Sequence, residues 1–236
     1  MSSSNTLTKE LLEEEKSAAD YLSWVESLIA AVKLEPDGLR KIRYREGLAQ
    51  ELMYEALPIG LLAISFFEAS EQVIIRLKVG SQPYDAEVID GRQNCMTIRY
   101  LEVTMALEGE DDYLRLKMLH ETGEVSGLTK VQKTRDRKIG LQVQIPREAV
   151  SQQEALAREQ KKFSEAIDRK AAKTYPPGTM LVVGFDDRIA FDHPENIDCL
   201  NSVIDSRRSR LTGFHSVALV GMYKNLLLHW QVSDSV

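Results

Sequence analysis

From about Thr8 to Val32, Leu11, Ala18, Tyr21, Leu22, Val25, Leu28, Ile29 and Val32 recur at helical spacing, which predicts one long amphipathic helix. "EPDG" (Glu35 to Gly38) ends it. A second helix is expected from about Leu39 to Leu57, stopping at Pro58 because a proline ring cannot continue the helical ladder. The period then shortens. "LLAISFF", "QVIIRLKV", "YDAEVID" and "MTIRYLEVTMAL" are rich in β-branched and aromatic residues and separated by turn formers, which predicts a meander of three or four strands. "DDYLRLKMLHETG" reads as a helix with acids in its first turn and Gly123 as its stop.

Residues Glu124 to Gly140 read as a loop, and "GLQVQIP" alternates like a short strand. A helix rich in Ala, Gln, Glu and Lys follows from about Ser151 to Lys173, and "YPPG" breaks it. "MLVVGF" and "HSVALVGM" are continuous apolar runs of the kind buried on both faces of a sheet, with a polar helix or loop between them. "NLLLHWQV" can pair with the second as a hairpin. This order predicts a mixed α+β (α/β) class, a mixed central sheet flanked by helices. Residues 1–38 form an N-terminal helical appendage, the first arm of a hairpin, and residues 39–236 form the α/β core. The apolar stripe of that hairpin is long enough to suggest a homodimer through the N-terminal helices.

Composition narrows the function classes. A length of 236 residues with 43% hydrophobic and 28% charged residues supports a proper core rather than disorder. The run "ALPIGLLAISFF" is too short for a membrane span and is interrupted by Pro58 and Gly60. The N-terminus turns acidic with no basic-then-apolar leader, so a cytoplasmic chain is expected. Cys95 and Cys199, far apart and in no CxxC spacing, read as free thiols filling a core. A net charge of -6 counts against a surface that binds nucleic acid everywhere. It leaves room for a local basic groove in "TKVQKTRDRK" (Thr129 to Lys138), "AREQKKFSEAIDRKAAK" (Ala157 to Lys173) or "SRRSR" (Ser206 to Arg210), each of which also reads as a solvated face.

No GxGxxG, GxxxxGK[ST] or GxSxG occurs, so dinucleotide, P-loop and serine-hydrolase chemistry lack their signatures. His193, His215 and His229 show no ligand spacing, and His120 in a last helical turn is explained by the helix dipole. Asp186 and Asp187 follow a buried strand, where loop acids are common. The acids of the meander are the informative ones. Alternation puts Asp85, Glu87 and Ile89 on one face of "PYDAEVID", and Tyr100, Glu102 and Thr104 share a face of "IRYLEVTMA". If the two strands are hairpin neighbours, Asp85 and Glu102 lie side by side. Converging carboxylates repel unless a divalent cation sits between them, and hard oxygen ligands suit Mg2+ or Mn2+.

At these residues the chain resembles the PD-(D/E)XK, or restriction-endonuclease-like, nuclease superfamily. "PYDAEV" supplies the acid of the second strand at Asp85, and "YLEVT" stands at the second motif with Glu102 in the acid position, 17 residues on. The resemblance spans roughly Leu39 to Val220. It implies a metal-dependent phosphodiester hydrolase acting on DNA or RNA, with Mg2+ or Mn2+ on Asp85 and Glu102. It also implies a further glutamate from the preceding helix, for which Glu55 and Glu51, four apart on one helix face, are the candidates. The superfamily usually has lysine two residues after the glutamate, whereas this chain has Thr104, whose hydroxyl can position water but carries no positive charge. Lys117 is then expected near the phosphate, with Lys78 and Arg115 as further cations within reach. The alternative is a catalytically inactive nuclease-fold module that binds a protein or nucleic-acid partner.

Overall fold

The computed structural model describes residues 6–93, 98–126, 129–136, 140–188, 194–223 and 226–232. The chain opens with a short helix α1 (Lys9–Leu12), strand β1 (Lys16–Ser17), α2 (Ala18–Lys33) and α3 (Gly38–Tyr44). A composite helix follows: α4 (Ala49–Glu51), a π-helical stretch (Leu52–Ala56) and α5 (Leu57–Ser65). Then come β2 (Val73–Leu77), β3 (Ala86–Asp90), β4 (Tyr100–Met105) and α6 (Glu110–Thr122). The remainder is β5 (Gln132–Asp136), β6 (Gly140–Gln144), α7 (Gln152–Ala171), β7 (Thr179–Phe185), α8 (Pro194–Asp205), β8 (Ser216–Gly221) and β9 (Leu227–Gln231). One mixed sheet runs β1-β2-β3-β4-β7-β8-β9, and β5 and β6 make a separate two-stranded ribbon. Neighbours β1 to β4 are antiparallel, β4, β7 and β8 are parallel, and β9 returns antiparallel. This is the mixed α+β architecture expected from the order of patterns.

Both faces of the sheet are covered. On one, α2, the π-helical stretch and α5 bury Tyr21, Val25, Leu52, Ile59 and Leu62 against Val73, Ile75, Leu101 and Val182. On the other, Phe163 and Ile167 of α7 and Leu200 and Ile204 of α8 meet Leu181, Val183, Val217 and Leu219. Each large side chain so buried stabilises the fold by about 1.5–3 kcal/mol. Burial on two sides explains why "MLVVGF" and "HSVALVGM" show no alternation. The stripe of α2 is consumed within this core, so the residues of 1–38 and of 39–236 bury against one another. Leu34 and Leu39 are the exposed large apolar residues of that hairpin.

Four expectations are corrected. The first helix is interrupted: Lys16 and Ser17 pair with Ile75 and Ile74 at the sheet edge, and Arg76 donates to the Glu13 carbonyl at 3.1 Å. The side chain of Ser17 then caps α2 by accepting from the Asp20 amide. Pro58 does not stop the second helix. The Leu57 amide bonds five residues back to the Leu52 carbonyl, and this wider π turn accommodates a proline that has no N–H to offer. "LLAISFF", expected as a strand, is therefore largely α5, a short apolar run whose period could not separate the two choices. Part of the expected loop 124–140 is strand β5.

Cys199 is a free, partly buried thiol that donates to the Asn196 carbonyl, while Cys95 and His193 lie outside the described residues. Among the described residues no helix is long and apolar enough to cross a membrane. The turn between α2 and α3 depends on Gly38, where an added Cβ would lie 1.8 Å from the Val32 carbonyl oxygen. Gly38→Ala should lower the free energy of unfolding by about 2 kcal/mol, read as a lower urea midpoint at unchanged slope. An unchanged midpoint would show that the backbone yields freely there.

Candidate active site

The register of β3 on β4 pairs Ala86 with Leu101, which sets Asp85 across from Glu102 one residue further on. The Asp85 amide donates to the Leu101 carbonyl at 2.8 Å, and its carboxylate accepts from the Val103 amide at 2.6 Å. Glu102, 5% exposed, sits on the β4 face that α7 covers. There the Lys170 ammonium lies 2.5 Å from Glu102 Oε1, and the Tyr175 hydroxyl donates to the same oxygen at 3.3 Å. Glu55 enters from the π stretch and Glu51 from the turn before it.

The electrostatics record crowding. Burial, then the charges of Asp85 and Glu51, push Glu55 up to about 8, with Lys170 opposing. Burial, then the charge of Glu102, push Asp85 up to about 6 against the Val103 amide, Lys170 and Lys173. Burial, then Glu102, also raise Tyr175. Glu51 Oε2 is buried with no hydrogen-bond partner. A cluster that holds on to protons and leaves a carboxylate oxygen unsatisfied is short of positive charge.

These residues fit a divalent cation by donor chemistry. Among the described residues no three His, Cys, Asp or Glu side chains form a ready-made shell. Magnesium is commonly held by only one or two carboxylates, with water and phosphate oxygens completing its octahedron. Asp85 and Glu102 would supply that pair, with Glu55 next to them.

The other expected cations are engaged elsewhere. Lys117 is half exposed and 3.9 Å from Glu121, one turn along α6. Arg115 is buried against Glu108 at 2.8 Å and the Thr129 carbonyl at 2.9 Å, a structural role. Lys78 lies 3.2 Å from Glu87. The cation that reaches Glu102 is Lys170, which the sequence hides because it is 68 residues away. Its signal was topological: α7 leads into β7, the parallel neighbour of β4, so its last turn must lie over the start of both strands.

Thr104 and Glu55 line a cleft of about 840 Å³ whose walls carry Lys130, Arg158, Lys161, Lys162 and Arg169. The last four share one face of α7, at offsets of 0, 3, 4 and 11. They are balanced in part by acids: Glu108 holds Arg158 at 2.9 Å, and Lys162 pairs with Glu159 at 2.8 Å. "SRRSR" is used elsewhere, with Arg207 and Arg210 on Asp168. His120 packs on the Tyr44 ring. Asp187 is buried and accepts from the Tyr223 amide, and Asp186 pairs with Arg188, so those loop acids are structural. No family model, curated protein or solved structure matches this chain, so the site's own geometry is what bears on its chemistry.

Proposed function

We infer that this chain is a metal-dependent phosphodiester hydrolase acting on nucleic acid. The observation that carries this reading is the convergence of carboxylates from three elements and one buried lysine beside a cleft with a cationic wall. Asp85 and Glu102 would hold Mg2+ or Mn2+, with Glu55 completing the set and Glu51 at its margin. Such an ion, when bound, polarises a phosphate oxygen and makes bound water a better nucleophile. The protein's own groups do the rest. Lys170 supplies the positive charge that Thr104 lacks, placed to offset charge that develops on the phosphate. Thr104, buried at the cleft floor, offers a hydroxyl that orients water. The basic face of α7 from Arg158 to Arg169 spans about 16 Å, on the order of five nucleotides of one strand.

Thr104 by itself favours the other reading, an inactive module on the same fold that binds a protein or nucleic-acid partner. Lys170 answers that objection, because a cation reaching the acids from α7 stands in for one on β4.

The experiment is calorimetric titration of Mn2+ into wild type and into Asp85→Ala/Glu102→Ala, paired with a cleavage screen on duplex DNA, single-stranded DNA and RNA. Wild type is expected to bind, to release protons on binding because its carboxyls are partly protonated, and to cut at least one substrate. The double variant is expected to lose both. Intact substrates with either metal, or cleavage that survives in the variant, would overturn the reading.

A further inference from the structure

The basic run that begins at Thr129 carries one strand of the β5–β6 ribbon, which stands apart from the main sheet. Its register pairs Gln132 with Gln144, Lys133 with Val143, Thr134 with Gln142 and Arg135 with Leu141. Strand alternation then divides the side chains cleanly. Gln132, Thr134, Gln142 and Gln144 share one face, whereas Lys133, Arg135, Leu141 and Val143 share the other. The second face is tied back to the protein, since the Lys133 ammonium lies 2.7 Å from both Glu110 and Asp111 at the start of α6. The first is open: all four of its members are exposed.

An isolated ribbon wet on both faces is marginal by itself, so its composition asks for a partner. The open face consists of three amides and a hydroxyl, each both donor and acceptor, with no charge. That chemistry suits base edges rather than phosphates. A cationic partner for phosphate is close by: Lys130, just before β5, lines the cleft. The major groove of duplex DNA is about 12 Å wide and admits a two-stranded ribbon, and glutamine pairs bidentately with adenine there. The deep, narrow major groove of an RNA duplex does not admit it.

We propose that the β5–β6 ribbon enters the major groove of duplex DNA, one strand of which follows the basic face of α7 along the cleft, and reads base edges with Gln132, Thr134, Gln142 and Gln144. This deepens the phosphodiester reading and rests on it for what occupies the cleft. The preferred sites contain A·T pairs, and discrimination belongs to the ribbon while affinity belongs to α7.

The test uses the full chain in EDTA, where binding is separated from cleavage. Selection from a randomised duplex library is expected to enrich a short motif containing A·T pairs. Gln142→Ala/Gln144→Ala should weaken binding of that duplex about 5- to 150-fold by fluorescence anisotropy and leave a scrambled duplex unchanged. Lys130→Ala should weaken both duplexes alike and reduce the salt slope by about 1. All three substitutions are at exposed positions, and circular dichroism checks the fold. No enriched motif, an equal loss on both duplexes, no duplex binding, or tighter binding of RNA or single strands would each overturn the proposal. Sequence-selective binding without cleavage would keep the ribbon and remove the hydrolase; metal-dependent cleavage without base preference would do the reverse.

Discussion

Lys170→Ala should lower the rate of metal-dependent cleavage at saturating substrate by about 10²- to 10³-fold, the loss typical of one preorganised group that stabilises transition-state charge. The reason lies in placement. Lys170 is the cation bonded to Glu102, its side chain is 17% exposed, and Thr104 provides none on the strand itself. Removing it also strands a buried carboxylate, which can cost about 3–5 kcal/mol of stability, so activity must be read well below the melting transition. Lys170→Gln separates the two effects, because an amide still donates to Glu102 but carries no charge. It should fold close to wild type and remain slow. Lys117→Ala, removing a cation paired with Glu121 at the surface, should leave the rate unchanged. A folded Lys170→Ala or Lys170→Gln protein that retained more than about a tenth of wild-type kcat would overturn the role given to Lys170.

The acids were legible from sequence and the lysine was not, for a physical reason. Asp85 immediately precedes β3 and Glu102 lies on β4, its antiparallel neighbour, where a period of two and one register settle which side chains share a face. Glu51 and Glu55 were legible as a pair, although the helix that carries them continues through Pro58 by widening into a π turn. Lys170 acts across a parallel strand pair, and the choice of neighbour for β4 is not written in any local pattern. Continuous apolar runs are ambiguous in the same way. "MLVVGF" and "LLAISFF" have similar composition, yet one is a strand buried along its whole length and the other largely a helix with Ile64 and Ser65 exposed, because an apolar run this short shows no period that separates the two. The ribbon was half legible: Gly140 to Pro146 alternates, while the charges of Lys133 and Arg135 disguise its partner as a loop.

The stability of the metal-free protein should fall as pH rises from about 5 to about 8, by on the order of 3–5 kcal/mol. Glu55 is the main cause: its pKa is raised from 4.5 to about 8, mainly by burial and then by the charge of Asp85. Between those two values the folded protein binds a proton that the unfolded chain has released, so each further unit of pH favours unfolding. Asp85, raised from 3.8 to about 6, adds a smaller loss of the same sign in the lower part of the window. Glu55→Gln keeps the shape and removes the titration. Its urea midpoint should keep only the smaller fall due to Asp85 over this range and exceed that of wild type at pH 8, with the two close together at pH 5. Mn2+ should flatten the wild-type profile in the same way, because a cation among the carboxylates offsets the repulsion that deprotonation creates. In Glu55→Gln, by contrast, the ion should give less stabilisation, since one ligand and much of the repulsion are gone. A flat wild-type profile without metal would show that Glu55 is ionised and tolerated at neutral pH. The cluster would then be a set of buried side chains satisfied by Lys170, with no charge deficit for a metal to fill.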